Sequence, residues 1–412
     1  MSENPILFRN FALLDVAAGA LKSGYQVLVK DGQIAEVSEG SIAAPEAQEI
    51  DLGGRVLMPG LIDCHVHIHP LILPITPMML PSLINAHAMV TLEGMLMRGF
   101  TTVRDAGGAD AGHRQAVERG LIKGPRLFVA GRAISQTGGH GDPRTSANQF
   151  EPCPCASYLP GFGLGRLADG VPEVRKAVRD EIRQGVDQIK LMAGGGVTSQ
   201  SDPIDQLQYA DEEMAAVVDE AKRSHKYVMA HVYTAEGIRR CIEHGVRTIE
   251  HGNLIDEPTA KLAAEAGAYM VPNLICYDNL GKRGAELGYT ADSLAKLGDV
   301  ADAAERSLVI AERAGLKLAY GTDISRSPEL QSDELLLRAV VQKPADILRS
   351  ATLVGAEVVR MPGKIGVIAP GASADLLAVD GDPLDDLSVL TGDGKSLAMI
   401  MKQGVFYKST MQ

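Results

Sequence analysis

The sequence predicts an α/β protein, a (β/α)8 barrel carrying a small β-sandwich built from both chain ends. Three observations point there. Eight short apolar runs alternate with helical segments through the middle of the chain. The two ends share a different texture of brief β-like runs and turns. Residues able to bind metal recur where the apolar runs finish.

The 412 residues exceed one ordinary domain and suit a barrel of ~250 residues plus a smaller module. Hydrophobic residues make up 45% and charged residues 22%, enough for a large buried core. The net charge of −12, without any basic run, argues against nucleic acid or an anionic membrane as partner and leaves a small-molecule substrate. No stretch reaches the ~20 apolar residues of a membrane span. The most apolar segment, 71–84, is interrupted by Pro74, Pro77 and Pro81. Residues 1–10 show no basic-then-apolar leader, and five cysteines are too few and odd for a disulfide framework. Both features predict a reducing cytoplasm. Cys153 and Cys155 stand too close together for two ligands on one ion and have no second pair, so they read as a rigid loop.

Residues 1–58 contain β-like runs at 6–8, 26–29, 34–37 and 55–58, separated by turns such as Lys30-Asp31-Gly32. The C-terminal 360–412 repeats the pattern, with a run at 374–379 and a hairpin through Gln403-Gly404. Neither piece can bury enough surface alone, so the two should pair into one β-domain. Between them, 59–359 holds the eight runs: 60–67, 101–105, 126–130, 188–192, 227–231, 248–251, 268–272 and 317–322. Helical spacing fills 86–98, 171–184, 211–224, 234–243, 258–266 and 293–314. Buried parallel strands in eight such units favour closure into a barrel over an open sheet.

Six candidate ligands sit at the ends of five runs. His65 and His67 lie on one face of the first, because side chains alternate along a strand. Lys190 lies within the fourth, His231 ends the fifth, His251 ends the sixth, and Asp323 follows the eighth. Imidazole and carboxylate donors suit Zn²⁺ or a similar divalent ion. Two such ions can share a hydroxide and polarise a carbonyl, and Asp323 can then carry a proton to a leaving amine.

These residues stand in Pro59-Gly60-Leu61-Ile62-Asp63-Cys64-His65-Val66-His67, Glu250-His251-Gly252 and Gly321-Thr322-Asp323, and a tail runs from Gly363-Lys364-Ile365-Gly366 to Ala374-Asp375-Leu376. Over essentially its whole length the chain resembles the amidohydrolase superfamily. The resemblance implies a carboxylated Lys190 bridging two metals. It gives His65, His67 and Asp323 to the first ion, and His231 and His251 to the second. The nearest likeness is to the branch of metal-dependent dipeptidases and carboxypeptidases acting on Xaa-Pro, Xaa-Arg/Lys or N-acyl amino acids, related to imidazolonepropionase. It rests on Gly138-Gly139-His140-Gly141-Asp142-Pro143 and on Tyr233. By that likeness His140 binds a substrate carboxylate and Tyr233 donates to the oxyanion. Read without it, His140 is an exposed loop residue and Tyr233 is packing.

Arg326 is a further candidate for a carboxylate, or a surface residue. Loops 68–85 and 144–168 either wall the pocket or meet another copy of the chain, since closed homo-oligomers are common. Dipeptides, N-acyl amino acids and aryl amides of the ochratoxin kind all fit an apolar wall beside a carboxylate-binding group. Ring opening of a cyclic amide remains a rival, and Lys190 counts against deamination. A non-catalytic scaffold would be marked by a lost ligand, and none is missing.

Overall fold

The inner strands show no polar–apolar alternation because both of their faces are covered. The structure, a computed structural model, describes residues 4–70, 79–144, 165–199, 202–324 and 327–411. Leu61–Val66, Phe100–Asp105 and Ile189–Met192 are buried at every position. They belong to a barrel whose other strands are Arg126–Phe128 with its continuation Ala133–Ser135, Val228–Thr234, Thr248–Leu254, Tyr269–Val271 and Lys317–Leu318. Neighbouring strands run parallel. Two partial sheets are joined into a ring by backbone bonds. Asp187 N donates to Val129 O at 2.8 Å on one side, and Cys64 N donates to Tyr320 O at 2.8 Å on the other.

The fifth and sixth strands overrun their expected ends to Thr234 and Leu254, and two others fall short. The third stops at Phe128 and resumes at Ala133. Between them Gly131 adopts φ 66°, and a Cβ there would stand 2.5 Å from Glu181 Oε2, so the bend requires glycine. The eighth is a strand only at Lys317–Leu318. Past it the chain leaves the seventh strand and turns to the first, where Asp323 N donates to His65 O at 2.7 Å.

The expected helices form as Pro81–Met97, Gly170–Arg183, Asp211–Arg223, Ala235–His244, Glu257–Glu265 and Ala291–Arg313. Local chemistry sets their starts. Thr234, Asp256 and Thr290 cap three of them by accepting from Gly237 N, Thr259 N and Ser293 N. Pro81 opens the first helix, which takes residues 81–85 out of the loop expected over 68–85. Of that loop, Leu71, Ile72, Leu73 and Met78 lie outside the described residues, as do Cys153, Cys155 and most of 144–168. Ala111–Glu118 and Leu274–Arg283 have no counterpart in the sequence reading, nor do the short helices Glu334–Arg338, Pro344–Arg349 and Gly355–Val358.

The chain ends meet in one six-stranded sheet. Val56–Pro59, Ala12–Asp15 and Ala20–Lys22 from the N-terminal side join Leu376–Val379, Leu397–Lys402 and Val405–Ser409 from the C-terminal side. Its alternation has two buried targets. Leu376, Ala378, Met399 and Met401 face a four-stranded sheet that supplies Phe8, Val27 and Ile34. Leu377, Val379 and Ile400 face the barrel side, against Met95, Leu96 and Phe100. Arg126 fastens the two parts together. Its Nη1 donates to Asp375 Oδ2 at 2.6 Å and to Thr102 Oγ1 at 3.0 Å, and its Nη2 donates to Ser373 Oγ.

Replacing Arg126 by alanine strands the buried Asp375 carboxylate. We expect a loss of roughly 3 kcal/mol, seen as a lower denaturant midpoint. A midpoint within error of the parent would show that Asp375 is satisfied by its other donors.

Candidate metal centre

Alternation and strand closure bring the first ligands together. His65 and His67 point inward from the first strand, and Asp323 reaches them from the end of the eighth. Asp323 Oδ1 lies 3.1 Å from His67 Nε2 and 3.4 Å from His65 Nε2. The donor atoms of the three all fall within 4.8 Å of one another. The other ring nitrogens are engaged. His65 Nδ1 is 2.7 Å from Glu250 Oε2, and His67 Nδ1 is 2.9 Å from Gly107 O. A proton on each Nδ1 satisfies those acceptors and turns the Nε2 lone pairs towards the Asp323 carboxylate. Lone pairs converging on a carboxylate are what a divalent cation requires, so the donor set fits one.

Regular alternation along Thr248–Leu254 would send Glu250 and His251 to opposite faces. His251 breaks it with φ 75°, a left-handed conformation that costs about 1–2 kcal/mol outside glycine. Glu250 accepts from Arg104 inside the barrel, while the His251 ring packs 5.3 Å from that of His65. His251 Nε2 lies 4.0 Å from Asp323 Oδ2, and its Nδ1 is 2.6 Å from Tyr277 Oη. Asn273 and Asp323 are likewise left-handed, at φ 54° and 52°. His231 is in register with Met192 and Glu250, and its ring is 4.5 Å from that of His251. Because His231 Nε2 is 3.1 Å from Gly195 O, its Nδ1 is the nitrogen left for a ligand.

Lys190 sits one pleat deeper, opposite Met229, and is 2% exposed. Burial pushes its ammonium down to about 8, although Glu250 and Asp323 oppose the shift. Burial alone would raise the Asp323 carboxyl, but His65 and His67 outweigh it and hold the group well below the carboxylate range. Burial lowers His231 and His251, which therefore stay neutral and able to ligate.

His140 and Tyr233 lie against this cluster. The His140 ring stacks on His231 at 4.1 Å, with its Nδ1 2.9 Å from Ser199 Oγ and 3.3 Å from Asp202 Oδ2. Tyr233 stacks on His251 at 5.1 Å, and burial keeps its phenol neutral. Arg326 lies outside the described residues.

Residues 56–406 match the amidohydrolase family. The chain belongs to that family.

This amidohydrolase is 48% identical to a solved amidohydrolase structure, with a TM-score of 0.97 over 99% of this chain and 100% of that one. It is 45% identical to a prolidase solved with N-methylphosphonate-L-proline, with a TM-score of 0.96 over 98% of this chain and 100% of that one. It is 32% identical over 383 residues to ochratoxinase of Aspergillus niger, covering 86% of this chain and 76% of that protein. The amidohydrolase is thus an enzyme, a metal-dependent hydrolase of small molecules with the amide bond as its general target. Among its described residues no helix is long and apolar enough to cross a membrane.

Sequence reading missed the groups that position the ligands. Glu250 was visible only as a motif letter, and Arg104, Asn273, Tyr277 and Asp202 carried no signal. Tyr277 belongs to the unforeseen helix Leu274–Arg283 and also donates to Tyr233 Oη at 3.4 Å. Tyr277→Phe removes the hydroxyl that fixes His251 Nδ1 and leaves the packing in place. Metal affinity should fall about tenfold or more, measured by chelator competition, with the thermal midpoint nearly unchanged. Unaltered affinity would show that Tyr277 only packs.

Proposed function

We propose that this enzyme hydrolyses the amide bond of dipeptides or N-acyl amino acids and releases the C-terminal amino acid. On this reading two divalent ions, Zn²⁺ first among them, are held by His65, His67, Asp323, His231, His251 and a carboxylated Lys190. The supporting observation is the convergence of His65, His67 and Asp323 beside His140 and Tyr233. Bound ions of this kind supply a water acidic enough to act as a nucleophile near neutral pH, and they polarise the scissile carbonyl.

The chain's own groups do the rest. Asp323, ionised and facing the two imidazoles, accepts the proton of the attacking water and passes it to the leaving amine. Tyr233, a neutral phenol, donates to the developing oxyanion. His140, fixed by Ser199 and Asp202, meets the substrate carboxylate. The buried Lys190 amine is more easily neutral than an exposed lysine. Its nitrogen can therefore bond to CO₂ and lose a proton, giving an anion suited to a place beside two cations.

Proline is our first choice of released residue, because the solved relative at 45% identity is a prolidase. Aryl amides come second, on the 32% identity to ochratoxinase. We also place the enzyme in a reducing cytoplasm as a homo-oligomer. That fits its three described cysteines, which are free.

Metal-loaded enzyme should release free amino acids from an Xaa-Pro, Xaa-Arg/Lys and N-acyl-amino-acid panel, with about two ions per chain. Turnover confined to aryl amides or cyclic amides would discard the dipeptidase reading. Asp323→Asn should retain the fold and lose at least about 100-fold in kcat, and near-parent turnover would remove Asp323 from proton transfer. Lys190→Ala should lose metal and regain some activity with added short-chain carboxylic acids. Full activity without them would rule out the carbamate.

A further inference from the structure

The opposite end of the barrel holds a cavity. It measures about 310 Å³ and lies where Val228–Thr234, Thr248–Leu254 and Tyr269–Val271 begin, whereas the histidine cluster lies towards the finish of the strands. Lys222, Lys226, Arg247 and Arg360 line it around the buried ring of Tyr227. The Arg360 guanidinium stands 4.9 Å from the centre of that ring, and the Arg247 guanidinium 5.7 Å. The Lys222 Nζ lies over Gly245, 2.8 Å from where a Cβ would stand.

Both arginines are fixed in position, yet neither is neutralised. Arg360 donates from Nη1 to His225 O at 2.7 Å, and Arg247 donates from Nη2 to Glu357 O at 2.8 Å. These are carbonyl acceptors and bring no charge. The Glu357 carboxylate is taken by Lys317 and by Tyr269 Oη. The Arg247 Nε is buried with no acceptor among the described residues. No described carboxylate pairs with any of the four cations. Burial and the neighbouring Arg247 both press Arg360 below the usual arginine range, as expected where like charges crowd.

A chain with a net charge of −12 has ample acid to neutralise such a cluster, and here four cations share one concavity without any. Like charges gathered in one concavity repel one another, the more so when partly buried. A bound anion would remove that cost and give Arg247 Nε an acceptor. Guanidinium forks flanked by ammonium groups match a phosphoryl group. The cavity exceeds what a lone phosphate needs, and Val218, Ile242 and Val246 offer its walls a carbon surface. We propose that this cavity, at the N-terminal ends of the barrel strands, is a binding site for an organic phosphate of metabolite size, seated by Lys226, Arg247 and Arg360. The site is independent of the substrate assigned to the metal end.

The test is calorimetric titration of the metal-loaded full chain with glycerol 3-phosphate and with inorganic phosphate. The parent is compared with Lys226→Gln/Arg360→Gln. Saturable binding of the monoester to the parent should weaken at least about tenfold in the double variant. Amide hydrolysis and metal content should stay unchanged in that variant. Lys226→Gln alone supplies the same comparison if the double variant folds poorly. Equal binding to parent and variants would place the anion at the metal end and overturn the proposal, as would no binding to the parent. Inorganic phosphate binding as tightly as the monoester would overturn the assignment of an organic ligand.

Discussion

Everything at the metal end depends on a carboxylate that never meets solvent. Glu250, with 0% exposure, accepts from Arg104 Nη2 and Thr248 Oγ1 through one oxygen and faces His65 Nδ1 with the other. Burying a carboxylate beside a guanidinium is costly unless every donor and acceptor is used. Here each Arg104 nitrogen and each Glu250 oxygen has a partner, because Arg104 also donates to Cys64 O, Thr248 Oγ1 and Tyr227 Oη. Burial raises the Glu250 carboxyl, but Arg104 and His65 outweigh it, so the group stays ionised. The pair sits inside the barrel and ties the first, second and sixth strands together. It also decides which nitrogen of His65 carries a proton, and hence which one can hold a metal.

That arrangement explains why the candidate ligands were legible in the sequence while their supports were not. His65, His67, Lys190, His231, His251 and Asp323 announce themselves because polar residues interrupt or end apolar runs. A reader needs only strand periodicity and the rule that barrel strands finish at the site. Arg104 looks like any charged residue in a short strand, and Glu250 like a motif letter. Their meaning exists only after closure brings the second strand across the barrel interior from the sixth. Asp202 and Tyr277 come from a loop and a helix whose approach to the site no local spacing encodes.

Backbone conformation hid a second layer. His251, in the middle of Thr248–Leu254, and Asn273 and Asp323, past the ends of their strands, each adopt positive φ. Histidine, asparagine and aspartate are among the residues that tolerate this region, but nothing in the surrounding sequence demands it. The consequence is large. A regular strand would show the site either Glu250 or His251, and the left-handed step lets both serve it. The shortened eighth strand has the same origin. Expected to run through residue 322, it ends at Leu318, and the chain turns to the first strand so that Asp323 reaches His65 and His67. Strain at these positions is the cost of convergence, and the packed barrel supports it.

The same spine of side chains relates the two ends of the barrel. Tyr227, whose ring lies under Arg360 and Arg247 in the basic cavity, accepts at its hydroxyl from Arg104 at 3.5 Å. Arg104 holds Glu250, and Glu250 holds His65. The line runs from the cations around Tyr227 to Arg104, then to the Glu250 anion, then to the His65 ring. The cations at the far end therefore sit on the positive side of a fixed internal pair and gain nothing from it, because Glu250 is already spent on Arg104. None of the described carboxylates pairs with those cations, so a counter-anion for them lies outside the described residues.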